Sequence, residues 1–402
     1  MTKRRPVINF LEQRIISPVK QFIHDSRAVG IVLIGCTLLS LIVSNSSWSG
    51  SYIAFWEKEF HIPIPQLQLP HSILHLINDG LMAFFFFLVG MEIKRELMVG
   101  ELSSIKKSIV PVIAAVGGMV VPATIYILWC GGTGFSKGWG IPMATDIAFS
   151  LGVLSLLGKR APLSLRIFLT ALAIIDDLGG ILAIALFYTE DINTTYLLLA
   201  LTTLVVLTLM NILKVKRHAL FFIAGIVLWY LVYNSGVHAT IAGVLLAFTI
   251  PLRKIDKLEN TLHDPVNFVI LPLFALANTA IVLPADSGVI FSSTVHHGIF
   301  LGLVAGKPIG IFLFSFAAVK LGIGTLPTGM HWKQLLGMGM IAGIGFTMSI
   351  FIATLAFADP GIQLIAKVAI IGASVTAGIA GFLYLKLLSR KKLHASILAA
   401  KK

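Results

Sequence analysis

LSLRIFLTALAIIDDLGGILAIALFYT, residues Leu163–Thr189, decides how the rest of the chain is read. At about twenty residues per crossing, the stretch is long enough to span a bilayer as a helix. Two adjacent carboxylates, Asp176 and Asp177, sit at its middle. An ionised aspartate at the bilayer centre costs about 2.5–3.5 kcal/mol on insertion scales. Two side by side also repel each other, so packing gives no reason for them. The default reading of an ionisable residue at that depth is an ion or proton site.

The composition of the 402 residues agrees: 57% are apolar and 12% charged, against about 25% charged in a soluble domain. The chain reads as an all-α polytopic membrane bundle. A net charge of +13 would suit a nucleic-acid binder, but the basic residues fall in short clusters between apolar runs. That is the positive-inside pattern, and the expected partner is the lipid bilayer, with no nucleic acid. Cys36 and Cys130 lie in or at the end of apolar runs; they read as small buried hydrophobes, and two cysteines make no disulfide framework. The first apolar run, Val29–Val43, follows a basic segment without a small-residue cleavage site. It reads as a retained helix rather than a signal peptide.

Working outward from the aspartate stretch, about twelve spans are expected. They lie near 28–45, 73–97, 108–129, 134–157, 163–189, 194–213, 219–233, 236–251, 266–283, 296–319, 333–357 and 362–387. Alternate connections carry the basic residues, such as Lys94, Arg95, Lys106 and Lys107, then Lys214, Lys216 and Arg217. The opposite loops hold Glu190, Asp191, Asp286 and Asp359. This alternation requires an even number of spans and both termini in the cytoplasm. Residues 1–27 and 388–402 are then basic cytoplasmic tails flanking one transmembrane domain, 28–387. The polar insert at 46–70, with its alternation and prolines, suits a short extramembrane β-hairpin or loop.

Two spans are weak as helices. The fourth is interrupted by Gly138, Gly140 and Pro142 just before Thr145 and Asp146. Proline removes a backbone donor and clashes with the preceding turn, and a break in a span is tolerated only where it lines a cavity or meets other protein groups. The eleventh carries Gly337, Gly339, Gly343 and Gly345. Spans three to five and ten to twelve would be related triplets of opposite direction, an inverted repeat with its site at the midplane. Glycine for close helix packing is the plainer reading of the eleventh span.

The midplane charges are few: Asp146, Asp176 and Asp177, with Lys307 in the tenth span and the Thr145 hydroxyl beside Asp146. A small cation wants oxygen ligands, which carboxylates, a hydroxyl and freed carbonyls provide. Asp176 and Asp177 point about 100° apart on a helix, so one can face a lysine and the other an ion path. With Lys307 offsetting one carboxylate, the site can hold protons or a metal ion but not both, which is the chemistry of exchange. Asp146 also suits a helix N-terminus. Lys307 could be only a structural counter-ion. Lys367 reads as snorkelling to the interface. Asp79, in LINDGLMAFFFF, either lines a path or lies near the interface.

At these residues the chain resembles the NhaA sodium/proton antiporters of bacteria. The matching stretches include GMEIKRELMVGEL (90–102), IPMATDIAFSLGVLSLLG (141–158), LTALAIIDDLGGILAIALFYT (169–189), SGVHATIAGVLLA (235–247), FVILPLFALANTAI (268–281), GKPIGI (306–311) and GIGFTMSIFI (343–352). The resemblance implies a secondary transporter, not an enzyme, with no cofactor. It would exchange cytoplasmic sodium or lithium for external protons across the inner membrane, electrogenically and with activation at alkaline pH, in sodium and pH homeostasis. Asp177 would be the main cation ligand. Asp176 would pair with Lys307 and join the proton exchange, while Asp146 and Thr145 would line the site and compensate helix ends. Core helices would occupy about 108–189 and 296–387 and interface helices about 28–97 and 194–283, with a homodimer formed through the insert near 46–70. A pH-response cluster would map to Glu92, Arg95, Glu96 and Glu259, with His238 and His263 as further candidates. From the sequence itself, Glu92 to Glu96 looks equally like a solvated helix end, and His238 like a satisfied core histidine. The family's histidine-rich segment before the ninth span is here RKIDKLENTLHDP, a departure that bears on the pH set-point.

An intramembrane aspartyl protease also uses two membrane aspartates, but neither site shows a Gly-x-Gly-Asp string and Lys307 has no part there. A simple channel needs no exchangeable cluster beside broken helices. Cation-coupled uptake of an organic solute would need aromatic or donor groups that this site lacks.

Overall fold

The computed structural model describes residues 26–60, 69–189, 192–284 and 288–399. Among these the chain is helical, and β pairing is confined to one antiparallel bridge between Glu59 and Ser72. Six helices are long and apolar enough to cross a membrane. They are α3 (Ile73–Met98), α4 (Ile105–Cys130), α6 (Leu163–Phe187), α7 (Thr194–Ile212), α12 (Thr294–Lys320) and α15 (Pro360–Ala399). Two bent pairs qualify jointly: α1 (Ser26–Ser44) with α2 (Ser49–Glu57), turned by 117°, and α13 (Trp332–Ala342) with α14 (Phe346–Ala356), turned by 48°. Shorter helices complete the bundle: α5 (Ile147–Ser155), α8 (His218–Tyr233), α9 (Ile241–Thr249), α10 (Leu252–Pro265) and α11 (Leu271–Asn278).

The insert differs from its expected form over its first half. Residues Ser49–Glu57 are helical, because its prolines come only from Pro63 onward and nothing before them stops a helix. Of the rest of the insert expected as a hairpin or loop, 61–68 lies outside the described residues. The tails at 1–25 and 400–402 do too, while α15 carries helix through Ala399. The eighth expected span is helical only over Ile241–Thr249. The polar run before the ninth is itself helical, as α10, and passes through a wide turn, Val266–Ile270, into α11.

Burial separates an inner from an outer set. In its most apolar window α6 is 67% buried and α7 only 11%, so the helix with the aspartate pair is central and α7 is peripheral. Two glycines decide the α4–α12 packing: a Cβ on Gly117 would collide with the Gly310 carbonyl oxygen, and one on Gly310 with that of Gly117. Small residues at such crossings let backbones touch and gain close packing in lipid. This approach brings the Lys307 stem beside Gly118 and its head toward α6. A wide π turn, Gly302–Gly306, immediately precedes Lys307, a feature that often marks functional positions in helices.

Candidate functional site

Two helix interruptions meet at the centre of the molecule. The first lies between a tight helical turn, Ser136–Met143, and α5; Ala144 and Asp146 there are extended. The second is Gly343–Gly345, between α13 and α14. A broken helix leaves carbonyls and N–H groups without their usual partners, and each break supplies what the other lacks. The Asp146 N–H donates to the Ile344 carbonyl at 2.7 Å. Ser150 Oγ donates to the Ile341 carbonyl at 3.2 Å, and Ser349 Oγ to the Ile141 carbonyl at 2.8 Å. Asp146 caps both helices that leave the crossing. Its Oδ1 accepts from the Phe149 N–H of α5 at 2.9 Å, and its Oδ2 from the Thr347 N–H of α14 at 3.1 Å and the Thr347 hydroxyl at 2.5 Å. A carboxylate at a helix N-terminus gains from the helix dipole, and here one carboxylate serves two.

The aspartate pair on α6 divides. Asp176 Oδ2 lies 2.7 Å from Lys307 Nζ, with both side chains fully buried. The Thr145 hydroxyl stands 2.8 Å from the same oxygen and 2.9 Å from the Ala342 carbonyl, and its one proton serves one of them at a time. Lys307 also donates to the Met143 carbonyl, which the first break has freed. Asp177 turns the other way, into a cavity of about 330 Å³ shared with Asp146, Thr347, Glu92, Arg95 and His263. One oxygen of each α6 aspartate, Oδ1, has no hydrogen-bond partner among the described residues. Buried acceptors left open in this way call for an explanation, such as a bound ion or proton. No group of three or more His, Cys, Asp or Glu among the described residues forms a resident metal site. Asp146, Asp177 and Thr347 instead offer the cavity two carboxylates and a hydroxyl, hard oxygen donors suited to a small cation in transit.

The far mouth of this cavity gathers most of the expected pH-response residues. Arg95 lies 2.5 Å from Glu259 and 3.5 Å from Glu96, Glu96 accepts from the Glu101 N–H at 3.0 Å, and His263 pairs with Asp264 at 3.3 Å. Glu259 lies outside the spans; burial pushes its carboxyl above the usual range, and the Arg95 guanidinium pulls it back. His238 is not brought to this group. It lines a second cavity of about 470 Å³ near the start of α3, with Asp79 and Lys367. On α14, Thr347 and Met348 line the first cavity and Thr354 and Leu355 the second; in the turn between them is the fully buried Phe351 ring, whose centroid is 5.3 Å from Phe86, 6.3 Å from Phe274 and 5.3 Å from His238.

Thr347, Ser150 and Ser349 belong to the crossing and were not singled out from sequence. Their signal was available: each follows a break by no more than one helical turn, where a hydroxyl can reach freed backbone groups.

A chain helical over nearly all of its described residues, with apolar spans, two broken helices crossing at a buried carboxylate site and a cavity lined by those carboxylates, has the architecture of a membrane transporter. Comparison with known proteins gives the family. The profile of the family described as Na+/H+ antiporter 1 matches residues 20–385, and the chain belongs to that family. It is 49% identical over 386 residues to the Na(+)/H(+) antiporter NhaA of Cytophaga hutchinsonii, covering 94% of this chain and 98% of the relative. It is 48% identical over 379 residues to Na(+)/H(+) antiporter NhaA 1 of Flavobacterium johnsoniae, covering 93% and 97%. It is 46% identical over 373 residues to the NhaA of Serratia proteamaculans, covering 90% and 96%.

Proposed function

We propose that this protein is an electrogenic sodium/proton antiporter that also accepts lithium, working by alternating access at Asp177. The reading is carried by one observation: neighbouring carboxylates of α6 have opposite surroundings, Asp176 against Lys307 and Asp177 against an aqueous cavity. Asp177, with Asp146 and Thr347 close by, receives the cation. Asp176, Lys307 and Thr145 form a closed set that changes partners when a proton enters or leaves. With all groups ionised, three carboxylates and one lysine leave the site doubly negative. Such a site is neutralised by two protons, or half-neutralised by one monovalent cation. Two protons exchanged for one cation move net charge, so the membrane potential drives the cycle together with the pH gradient.

The alternation of basic and acidic loops supports twelve spans with both termini in the cytoplasm of a bacterial inner membrane. On that orientation the cavity holding Glu92 and Arg95 is the cytoplasmic one, and the site faces inward. The reciprocal bonds of the two breaks support an inverted repeat of spans three to five and ten to twelve. Core helices would be about 108–189 and 296–387, and interface helices about 28–97 and 194–283, with tails 1–27 and 388–402. The insert at 46–70 would join two copies as a dimer. The mouth cluster of Glu92, Arg95, Glu96, Glu259 and His263 would set alkaline activation, and the protein would serve sodium and pH homeostasis.

The test uses everted membrane vesicles with an acid interior and a pH-sensitive dye. Adding sodium or lithium should release protons through the wild type and not through Asp177→Asn. A wild-type response that survives in the variant would remove Asp177 from the site, and no response to any cation would end the antiport reading.

A further inference from the structure

Four charged or titratable groups near the start of α3 take no part in the exchange site: His75, Asp79, His238 and Lys367, all lining the second cavity. Asp79 stands on a wide π turn of α3, Leu76–Leu81, and the Trp229 indole fixes that turn by donating to the Asp79 carbonyl at 2.8 Å. His238 Nε2 lies 3.4 Å from Asp79 Oδ1. The other ring nitrogen, Nδ1, faces the Thr240 N–H at 3.5 Å and the Thr240 hydroxyl at 2.8 Å. Asp79 itself is only 16% exposed on its side chain and opens to the cavity. Oxygen-bearing amides stand nearby: Asn278 donates to Asn78 Oδ1 at 2.8 Å, across from α11 to α3.

We propose that Asp79 is the centre of a second, external station for small monovalent cations, which they occupy before reaching or after leaving Asp177. This rests on the inward-facing antiport reading. The second cavity follows the Asp177 cavity along α14, one turn past Phe351, so an ion bound for the outside passes through it once the packing around that ring opens. A carboxylate that lines a cleft concentrates counter-ions. The charged and titratable groups facing it are His75 from its own helix, His238 from the turn before α9, Tyr233 from α8, Tyr188 beyond α6 and Lys367 from α15. Lys367 opposes a cation there and Asp79 favours one. The two charges thus tune occupancy in opposite directions, and they act on one face of the membrane only.

The experiment compares right-side-out with everted vesicles carrying the full chain, and measures the apparent sodium KM at each face. Asp79→Asn should raise the outer-face KM about five-fold, the effect of one unit charge about 4 Å away in a water-like medium. The cytoplasmic-face KM should stay as in the wild type. Asp79→Glu should restore the outer-face value, and Lys367→Gln should lower it by about two-fold. Equal changes at both faces, no change with Asp79→Asn, or the same sign for Asp79→Asn and Lys367→Gln would overturn the station. Absence of exchange in the wild type at either face would instead overturn the antiport reading, and this inference with it.

Discussion

The two broken segments are built alike and do different chemistry. Asp146 begins α5 and Gly345 begins α14, and each carbonyl accepts from a serine one turn on, at 2.9 Å in both cases. Those serines, Ser150 and Ser349, reach across to carbonyls of the opposite segment. At the cap positions the likeness ends. Asp146 places a carboxylate at the crossing. Gly345 places nothing, and a Cβ there would overlap Ser349 Oγ. The residues before the caps differ in the same way: Thr145 turns a hydroxyl to Asp176, where Ile344 contributes only its carbonyl. A doubled framework with undoubled charge gives a site that is symmetric in its scaffold and one-sided in its electrostatics. Two facing carboxylates would repel. One can cap both helices and still share a cavity with Asp177.

Removing that carboxylate breaks the comparison most severely. Asp146→Ala should lose both caps, worth about 0.5–2 kcal/mol each, and the melting temperature of the detergent-purified protein should fall. Asp146→Asn removes the charge and keeps one acceptor oxygen, enough for one of the two caps, with its NH2 facing the other. It should melt between the Ala variant and the wild type while cation-driven proton movement in vesicles is lost. If the Asn variant melts as low as the Ala variant, the charge rather than the hydrogen bond holds the crossing together.

The scaffold half of the comparison predicts smaller and matched effects. Ser150→Ala and Ser349→Ala each remove one donor that crosses between the segments, to the Ile341 and Ile141 carbonyls. Each should cost about 0.5–1.5 kcal/mol, the usual net value of a hydrogen bond, read as similar drops in melting temperature. A drop confined to one of the two would show that the crossing leans on a single segment.

What could be read in the sequence follows the same division. Charge was legible, because an aspartate or lysine in an apolar run has so few explanations: Asp146, Asp176, Asp177 and Lys307 were singled out and meet within one site. Glycine and proline marked where helices break. Partners were not legible, because they depend on which helices cross. Thr347 is one hydroxyl among many, and only the meeting of α14 with α5 turns it toward Asp146. His238 is the sharper case. Its neighbours in sequence are apolar or small, and nothing in them tells whether it joins Arg95 and Glu259 or, as the fold has it, Asp79 on the other side of Phe351. The alternation and prolines that suit a hairpin or loop lie in the second half of the insert; its first half carries the continuous apolar run Tyr52–Trp56, which a nine-residue helix accommodates.

The mildest prediction asks whether the one-sided charge is sensed at the mouth of its cavity. Glu259 reaches Arg95 from α10, outside the spans, and Arg95 lines the cavity that also holds Asp146 and Asp177. Burial raises the Glu259 carboxyl, Asp256 adds to the rise, and Arg95 opposes it. The net shift is upward, so protonation begins at a higher pH than for a free glutamate. As pH rises the carboxyl ionises and the pair with Arg95 closes; as pH falls the proton returns and Arg95 keeps only Glu96 at 3.5 Å. If the closed pair belongs to the active form, Glu259→Gln, which mimics the protonated state, should move the rise of exchange activity to higher pH by about one unit, the scale of a single lost charge interaction. Maximal rate and melting temperature should change little, because the pair is partly solvated and such pairs contribute about 0–1 kcal/mol. Vesicle exchange measured across a pH series reads the midpoint directly. An unmoved midpoint would separate the mouth from the site and leave the response to pH with the α6 carboxylates themselves.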